Sequence, residues 1–203
     1  MRRQLVIFAR SPRIGAVKRR LARDIGAVAA WRFYSAVLAR MVIRLARDPR
    51  WDCVLATTGG PARWPRHVRR IGQGRGDLGV RMGRVMRARP PGPIVIVGTD
   101  IPDIAPRHIA AAFAALGRND AVFGPADDGG YWLIGLRRRP FLPRLDGPVR
   151  WSSRHALADT QRLLGPRVRT GMLETLIDID DGNSLARWRR SRSGTRGGRS
   201  YFS

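Results

Sequence analysis

The chain has 203 residues, 43% of them hydrophobic, which suits one ordinary domain with a full core. No stretch approaches the roughly 20 unbroken apolar residues of a bilayer crossing, and the apolar run after Met1-Arg2-Arg3 lacks signal-peptide length and a cleavage site, so a cytoplasmic protein without a membrane span is expected. The net charge of +24 comes from 39 basic against 15 acidic residues, but Lys18 is the only lysine and Glu174 the only glutamate; such one-sided usage reads as coding bias and weakens charge as evidence for a nucleic-acid partner.

Along the chain, Leu5-Val-Ile-Phe-Ala9 is a continuous apolar run of strand length, followed by the turn-rich Ser11-Pro-Arg-Ile-Gly15 and a helical pattern over about 16–25. Trp31, Tyr34, Leu38, Val42 and Leu45 recur at three- and four-residue steps, which predicts a long helix with one buried face. A strand over 52–57 ends at Gly59-Gly60, and a short strand is expected near 68–71. Leu78, Met82, Val85 and Met86 mark a further amphipathic helix that Pro90-Pro91 terminates. Ile94-Val-Ile-Val97 is β-branched throughout, as in a central parallel strand buried on both faces, and Thr99-Asp100 lies at its end. A helix beginning at Pro106, a strand over 121–123, a possible strand over 131–136, a helix over about 153–164 and a strand around Val168 complete the pattern. Strands alternating with helices predict an α/β fold with a mostly parallel sheet. The domain is expected to cover 1–186, and the Arg/Ser/Gly-rich segment 187–203 reads as a disordered basic tail.

In an open α/β sheet ligands bind beyond the carboxyl ends of the strands, and the usual strand order 3-2-1-4 brings the loop after 5–9 and the end of 94–98 to one crevice. The loop Arg10 to Lys18 offers backbone N–H groups around Gly15, a helix start and several cations, all of which favour phosphate; the sole lysine falls within it. It is neither a Walker A loop nor a GxGxxG turn. Asp100 is placed to bind a divalent metal or to serve as a turn carboxylate. Asp103 reads as a helix cap. Asp127-Asp128-Gly129-Gly130-Tyr131 is either a close backbone approach to a ligand or a plain turn. Asp178 and Asp180, two apart on an extended segment, face the same way and can complete a metal site. His67, His108 and His155 lack metal-ligand spacing, Cys53 reads as a core residue, and Ser152-Ser153 reads as a helix N-cap.

Several segments, in order along most of the chain, resemble a bacterial family of glycosyltransferase-like proteins of GT-A fold, some of them named arsenosugar-biosynthesis glycosyltransferases. They are Phe8-Ala-Arg-Ser-Pro-Arg-Ile-Gly-Ala-Val-Lys18-Arg-Arg-Leu21, Gln73-Gly-Arg-Gly-Asp77-Leu-Gly-Val-Arg81-Met82, Val97-Gly-Thr-Asp100-Ile-Pro-Asp103, Gly124-Pro-Ala-Asp-Asp128-Gly-Gly-Tyr-Trp132-Leu-Ile-Gly135, Trp151-Ser and Asp178-Ile-Asp180. Related families include the phospholactate guanylyltransferases and the molybdopterin-cofactor nucleotidyltransferases. The resemblance implies a Rossmann-like nucleotide-diphospho-sugar transferase fold, with helices on both faces of the sheet. It also implies nucleotide binding by Phe8, Ala9, Arg10, Gly15, Lys18, Gln73 and Asp77, an acceptor beside Gly129, Gly130 and Tyr131, Asp100 and Asp128 as catalytic groups, and Mg²⁺ or Mn²⁺ on Asp100 and Asp180. The chain departs from the family where Arg10 and Arg19 replace the usual lysine and threonine, and where Asp180-Asp-Gly-Asn-Ser-Leu185 replaces Asp-Thr-Pro-Glu-Asp-Leu.

The expected activity is metal-dependent glycosyl transfer from a nucleotide-diphosphate sugar to a small-molecule acceptor. The alternatives are nucleotidyl transfer from an NTP with release of pyrophosphate and, ranked last, nucleic-acid binding on an inactive transferase fold. Nothing in the sequence sets the oligomeric state.

Overall fold

The computed structural model describes residues 2–64, 68–138 and 142–196. His67, and residues 197–203 of the expected tail, lie outside them. Among the described residues no helix is long and apolar enough to cross a membrane.

The apolar run at the start forms β1 (Gln4–Arg10) and leads through a loop to α1 (Arg19–Ile25) and the long α2 (Ala27–Ala46). Then follow β2 (Asp52–Thr58), β3 (Arg69–Gly72), α3 (Leu78–Arg87), β4 (Ile94–Val97), α4 (Pro106–Ala115), β5 (Ala121–Pro125), β6 (Tyr131–Leu136), α5 (Ala156–Leu164), β7 (Thr170–Met172) and α6 (Gly182–Arg196). The seven strands form one sheet in the order β3-β2-β1-β4-β6-β5-β7, so the expected 3-2-1-4 core is present. All pairings are parallel except those of β6, which runs antiparallel between β4 and β5.

Alternation along the strands sorts the core onto two faces. Leu5 and Ile7 of β1 point with Val95 and Val97 toward Leu38, Met41 and Leu45 of α2 and Ile109 and Phe113 of α4. Val6 and Phe8 point with Ile94 and Ile96 to the other side, against Met82, Val85 and Met86 of α3 and Leu164 of α5. Each fully buried Leu, Ile or Met contributes about 1.5–3 kcal/mol of transfer free energy. Because β1 and β4 are buried on both faces and run parallel side by side, the loops that follow them are held rigidly at one edge.

Three sequence expectations need correction. The domain does not end at 186, because α6 continues to Arg196. Composition misses this helix since two side chains anchor it: Leu185 is buried with Leu21, Ala30 and Ile179, and Trp188 packs edge-on against Phe33 at 6.3 Å while its Nε1 donates to Asp103 Oδ2 at 2.6 Å. Asp103 is therefore not a cap; Ala105 occupies the N-cap of α4 and Asp103 binds α6, Arg192 included. The N-cap of α5 is His155, with Ser153 two residues earlier accepting the His155 N–H at 3.2 Å. The altered C-terminal motif keeps a capped helix start: Ser184 N–H donates to Asp181 Oδ1, and Ser184 Oγ accepts from the N–H groups of Asp180 and Asp181.

Candidate active site

The carboxyl ends of β1 and β4 open into a cleft of about 520 Å³, whose wall includes Phe8, Ala9, Arg10, Lys18, Gln73, Asp100, Asp128, Gly130, Tyr131 and Asp180. Segments from six separate stretches of sequence are thus brought together. Gly15, Asp77 and Gly129 are not part of the wall. Asp77 is the N-cap of α3, accepting the Val80 N–H at 2.9 Å. Gly129 shapes the β5–β6 turn: its φ is 86°, and a Cβ there would lie 2.3 Å from the Arg154 carbonyl oxygen.

The loop after β1 is tied down from three sides. Ser11 Oγ donates to the Gly60 carbonyl at 2.7 Å and Trp31 Nε1 to the Pro12 carbonyl at 2.8 Å. The Tyr34 hydroxyl accepts the Arg10 N–H, donates to the Arg10 carbonyl at 2.9 Å and lies 3.2 Å from Thr99 Oγ1, linking the ends of β1 and β4 through α2. Tyr34 reads in the sequence only as a core position, and its pairing with Arg10 and Thr99 has no local signal.

At the loop's end Lys18 adopts the left-handed conformation, φ 47° and ψ 48°, which turns the chain into α1. Its ammonium is enclosed by three carboxylates: Asp100 Oδ1 at 2.5 Å, Asp180 Oδ1 at 3.1 Å and Asp178 Oδ1 at 3.6 Å, with the lysine side chain only 3% exposed. Burial alone would lower the lysine pKa; attraction by Asp100, then Asp178 and Asp180, outweighs it and holds the value above the ordinary range. Asp178, the most buried of the acids, is pushed up to about 7 by desolvation and by its neighbour Asp100, against the pull of Lys18. Asp178 and Asp180 face one centre, as their two-residue spacing on an extended segment predicts. Asp127 holds that segment, accepting the Asp178 N–H at 3.0 Å on one oxygen and Arg187 on the other.

Further cations, Arg10, Arg19, Arg20 and Arg81, line the cleft, and one of them, Arg20, lies 3.6 Å from Asp180 Oδ2. Gln73, 2% exposed, donates to the carbonyls of Ala9 and Ala56 and accepts Arg81 Nη1 at 2.8 Å, so its side chain positions Arg81 and is not itself free for a ligand. Sequence reasoning does not single out Arg81; the signal was its i,i+4 spacing from Asp77, whose carbonyl accepts Arg81 Nε at 3.2 Å.

Asp128, part of the cleft wall and near enough to act electrostatically on Asp178, accepts the Gly130 N–H at 2.8 Å on Oδ1. The Tyr131 ring stacks edge-on with Phe123 at 5.3 Å and its hydroxyl lies 3.4 Å from Thr160 Oγ1, so this hydroxyl is occupied by α5. Trp151, Ser152 and Ser153 also line the cleft. Their loop is fixed by Asp159, which is 5% exposed and accepts the Arg150 N–H at 3.1 Å, Arg150 Nε at 2.7 Å, Arg150 Nη2 at 2.8 Å and Arg162 Nη1 at 3.0 Å. The hydrogen bonds from Arg150 hold the Asp159 carboxyl below the usual carboxylate range. A depressed acid stabilises the fold above its unfolded pKa, near 3.8, and loses that contribution as pH falls below it. Asp159→Asn should therefore lower Tm at pH 7, with the gap to wild type narrowing progressively as pH falls below about 4; a gap independent of pH, read by thermal unfolding from about pH 8 down to about pH 2, would remove the ionised pair from the account. Cys53 sits in β2 with its thiol pushed up to about 12 by burial, in keeping with a packing role.

Among the described residues no three acidic, histidine or cysteine side chains converge into an all-protein metal cage. The carboxylates that could hold a metal are Asp100 and Asp180, each about half exposed in the cleft, with the buried Asp178 Oδ1 lacking any hydrogen-bond partner beside them. Two carboxylates open to substrate phosphates and water fit Mg²⁺ or Mn²⁺, ions that seldom take a full set of protein ligands.

Comparison with solved structures agrees with this architecture. A protein of Desulfovibrio desulfuricans G20, provisionally assigned as a nucleotide-diphospho-sugar transferase, superposes with a TM-score of 0.82 at 28% identity, covering 99% of this chain and 92% of that one. Two further structures share the fold at lower similarity. One is the 4-diphosphocytidyl-2C-methyl-D-erythritol synthase of Anaerococcus prevotii DSM 20548, with a TM-score of 0.62 at 10% identity over 95% of this chain and 96% of that one. The other is a CMP:2-keto-3-deoxy-manno-octonic acid synthetase complexed with CTP, with a TM-score of 0.58 at 13% identity over 96% and 100%. No protein of curated function matches the chain by sequence. The family model described as "Uncharacterized protein conserved in bacteria (DUF2064)" matches residues 35–153, more than half of the sequence, so the chain belongs to that family and carries the nucleotide-diphospho-sugar transferase fold.

Proposed function

We propose that this transferase moves a sugar from a nucleoside-diphosphate donor to a neutral hydroxyl acceptor, with a divalent metal at Asp100 and Asp180. The observation that carries the reading is the partition of charge in the cleft. Every cation of the wall comes from the β1–α1 region or α3, whereas the β5–β6 turn and the segment before α5 contribute Asp128, Trp151, Ser152 and Ser153 and no cation. A diphosphate belongs against Arg10, Arg19 and Arg81, whose guanidinium groups bind phosphate oxygens in pairs. A phosphorylated acceptor would meet the Asp128 carboxylate, which repels it; a hydroxyl acceptor would instead find a base there.

In the resulting step the acceptor oxygen forms a bond to the anomeric carbon as the bond from that carbon to the diphosphate oxygen breaks. The electron pair leaves with the nucleoside diphosphate, and the acceptor proton passes to the Asp128 carboxylate. Arginines of the cleft wall hold the departing diphosphate in place. Mg²⁺ or Mn²⁺ bound by Asp100 and Asp180 would supply further charge neutralisation to the leaving group.

The test is product identity. With a panel of sugar nucleotides, Mn²⁺ and small polyols, ³¹P NMR should detect a nucleoside diphosphate released from one donor, with release abolished by chelator. Pyrophosphate released from an NTP in place of that signal would overturn glycosyl transfer in favour of nucleotidyl transfer.

A further inference from the structure

A lysine in a phosphate-binding loop is expected to present its ammonium to the ligand. Lys18 does not: an ammonium has three donors, and here three carboxylate oxygens surround it, at 2.5, 3.1 and 3.6 Å, with 3% of the side chain exposed. Two of those oxygens, Asp100 Oδ1 and Asp180 Oδ1, belong to the carboxylates that face the cleft as metal donors. A divalent ion taking oxygen ligands at about 2.1 Å cannot share those oxygens with an ammonium in contact without strong like-charge repulsion.

We infer that Lys18 and the divalent cation compete for the same carboxylate oxygens, and that cation binding releases the Lys18 ammonium to the phosphates of the substrate. The inference rests on the reading of Asp100 and Asp180 as metal ligands. Three features support an exchange over a fixed structural pair. Lys18 lies at the cleft wall beside Arg19 and Arg10, so a displaced ammonium moves along that wall toward the place where a diphosphate would sit. Its four-carbon stem lets the charge shift while the backbone stays in place. Around this centre three acids face Lys18 and the more distant Arg20, 3.6 Å from Asp180 Oδ2, so the cluster holds negative charge in excess of its cations. Arginine cannot play this part as well, because a planar fork does not fit between three converging oxygens; this gives a physical reason for the one lysine among 39 basic residues.

The test titrates the full chain with Mn²⁺ by EPR, without nucleotide, at constant pH and ionic strength. Lys18→Met should bind Mn²⁺ about tenfold tighter than wild type, because a competing contact cation has gone. Since an isolated carboxylate cluster can impair folding, Asp178→Asn and the double variant Lys18→Met/Asp178→Asn form a second pair with less charge to bury, and the same gain is expected between them. Equal or weaker Mn²⁺ binding on loss of Lys18 in the folded pair would make Lys18 a fixed organiser and overturn the exchange, as would absence of Mn²⁺ binding in every form. A second arm measures UDP and GDP affinity: loss of Lys18 should weaken binding in the presence of Mn²⁺ and leave it unchanged with chelator. Equal loss in both conditions would make Lys18 a standing phosphate ligand. Should Mn²⁺ and nucleotide respond as expected while no sugar nucleotide is turned over, the exchange stands and the glycosyl-transfer reading fails.

Discussion

Asp100→Asn is expected to lower kcat/KM by about 1000-fold with the donor identified by product analysis, the scale at which removal of one charge-stabilising group acts on a transition state. The side chain stands three residues beyond β4, which pairs with β1 and β6, and the substitution keeps its size while removing its charge. Folding should survive, because the Asp100 side chain is 47% exposed and Lys18 keeps Asp178 and Asp180 as partners. The expected record is an unchanged cooperative thermal transition, a lost stabilisation by Mn²⁺ with nucleotide, and a collapse in turnover. Loss of less than tenfold, with Mn²⁺ stabilisation intact, would take Asp100 out of the metal site and leave Asp180 to be explained alone.

The reach of the sequence follows from where each signal resides. β1, β4 and the buried face of α2 are periodic within one short window, and they appear where periodicity puts them. The crevice between β1 and β4 follows from topology, because apolar strands of this kind pack in a recurrent order. Arg10 and Asp100 are readable together for that reason, whereas Asp180 is read from its two-residue spacing with Asp178 and from the family resemblance. What escapes is made between distant segments. Gln73 turns inward to the carbonyls of β1 and β2, and Asp127 clasps both the Asp178 backbone and α6; neither partnership leaves a local trace. The Arg-rich end is the clearest failure, since composition weighs its arginines and overlooks that one Trp188 with an acidic partner is sufficient to dock a helix. Lys18 shows the converse: its position is conspicuous, but the identity of its neighbours depends on how three acids 82 or more residues away are folded against it.

Gly79→Ala should cost about 3 kcal/mol and lower Tm by roughly 10 °C, although alanine is the better helix former. Gly79 is the second residue of α3, where its missing Cβ lets another segment approach: an added methyl would lie 1.9 Å from the Leu145 carbonyl oxygen and 2.8 Å from the Trp151 ring. Neither neighbour can retreat cheaply. The carbonyl is backbone, and Leu145 itself is 1% exposed in the core that contains Met82 and Val85 of the same helix. The strain must pass into the loop that carries Trp151 and Ser152 to the cleft, so the acceptor KM should rise in parallel with the loss of stability. Gly83→Ala, one turn along α3, supplies the contrast. Its Cβ would meet only the flexible Arg87 guanidinium, at 3.4 Å, so the intrinsic helical gain of up to about 1 kcal/mol should appear as a higher Tm with unchanged kinetics. If both substitutions stabilised the protein, the close approach of the 145–151 segment to α3 would be wrong, and with it the place of Trp151 and Ser152 in the cleft wall from which a neutral acceptor is argued.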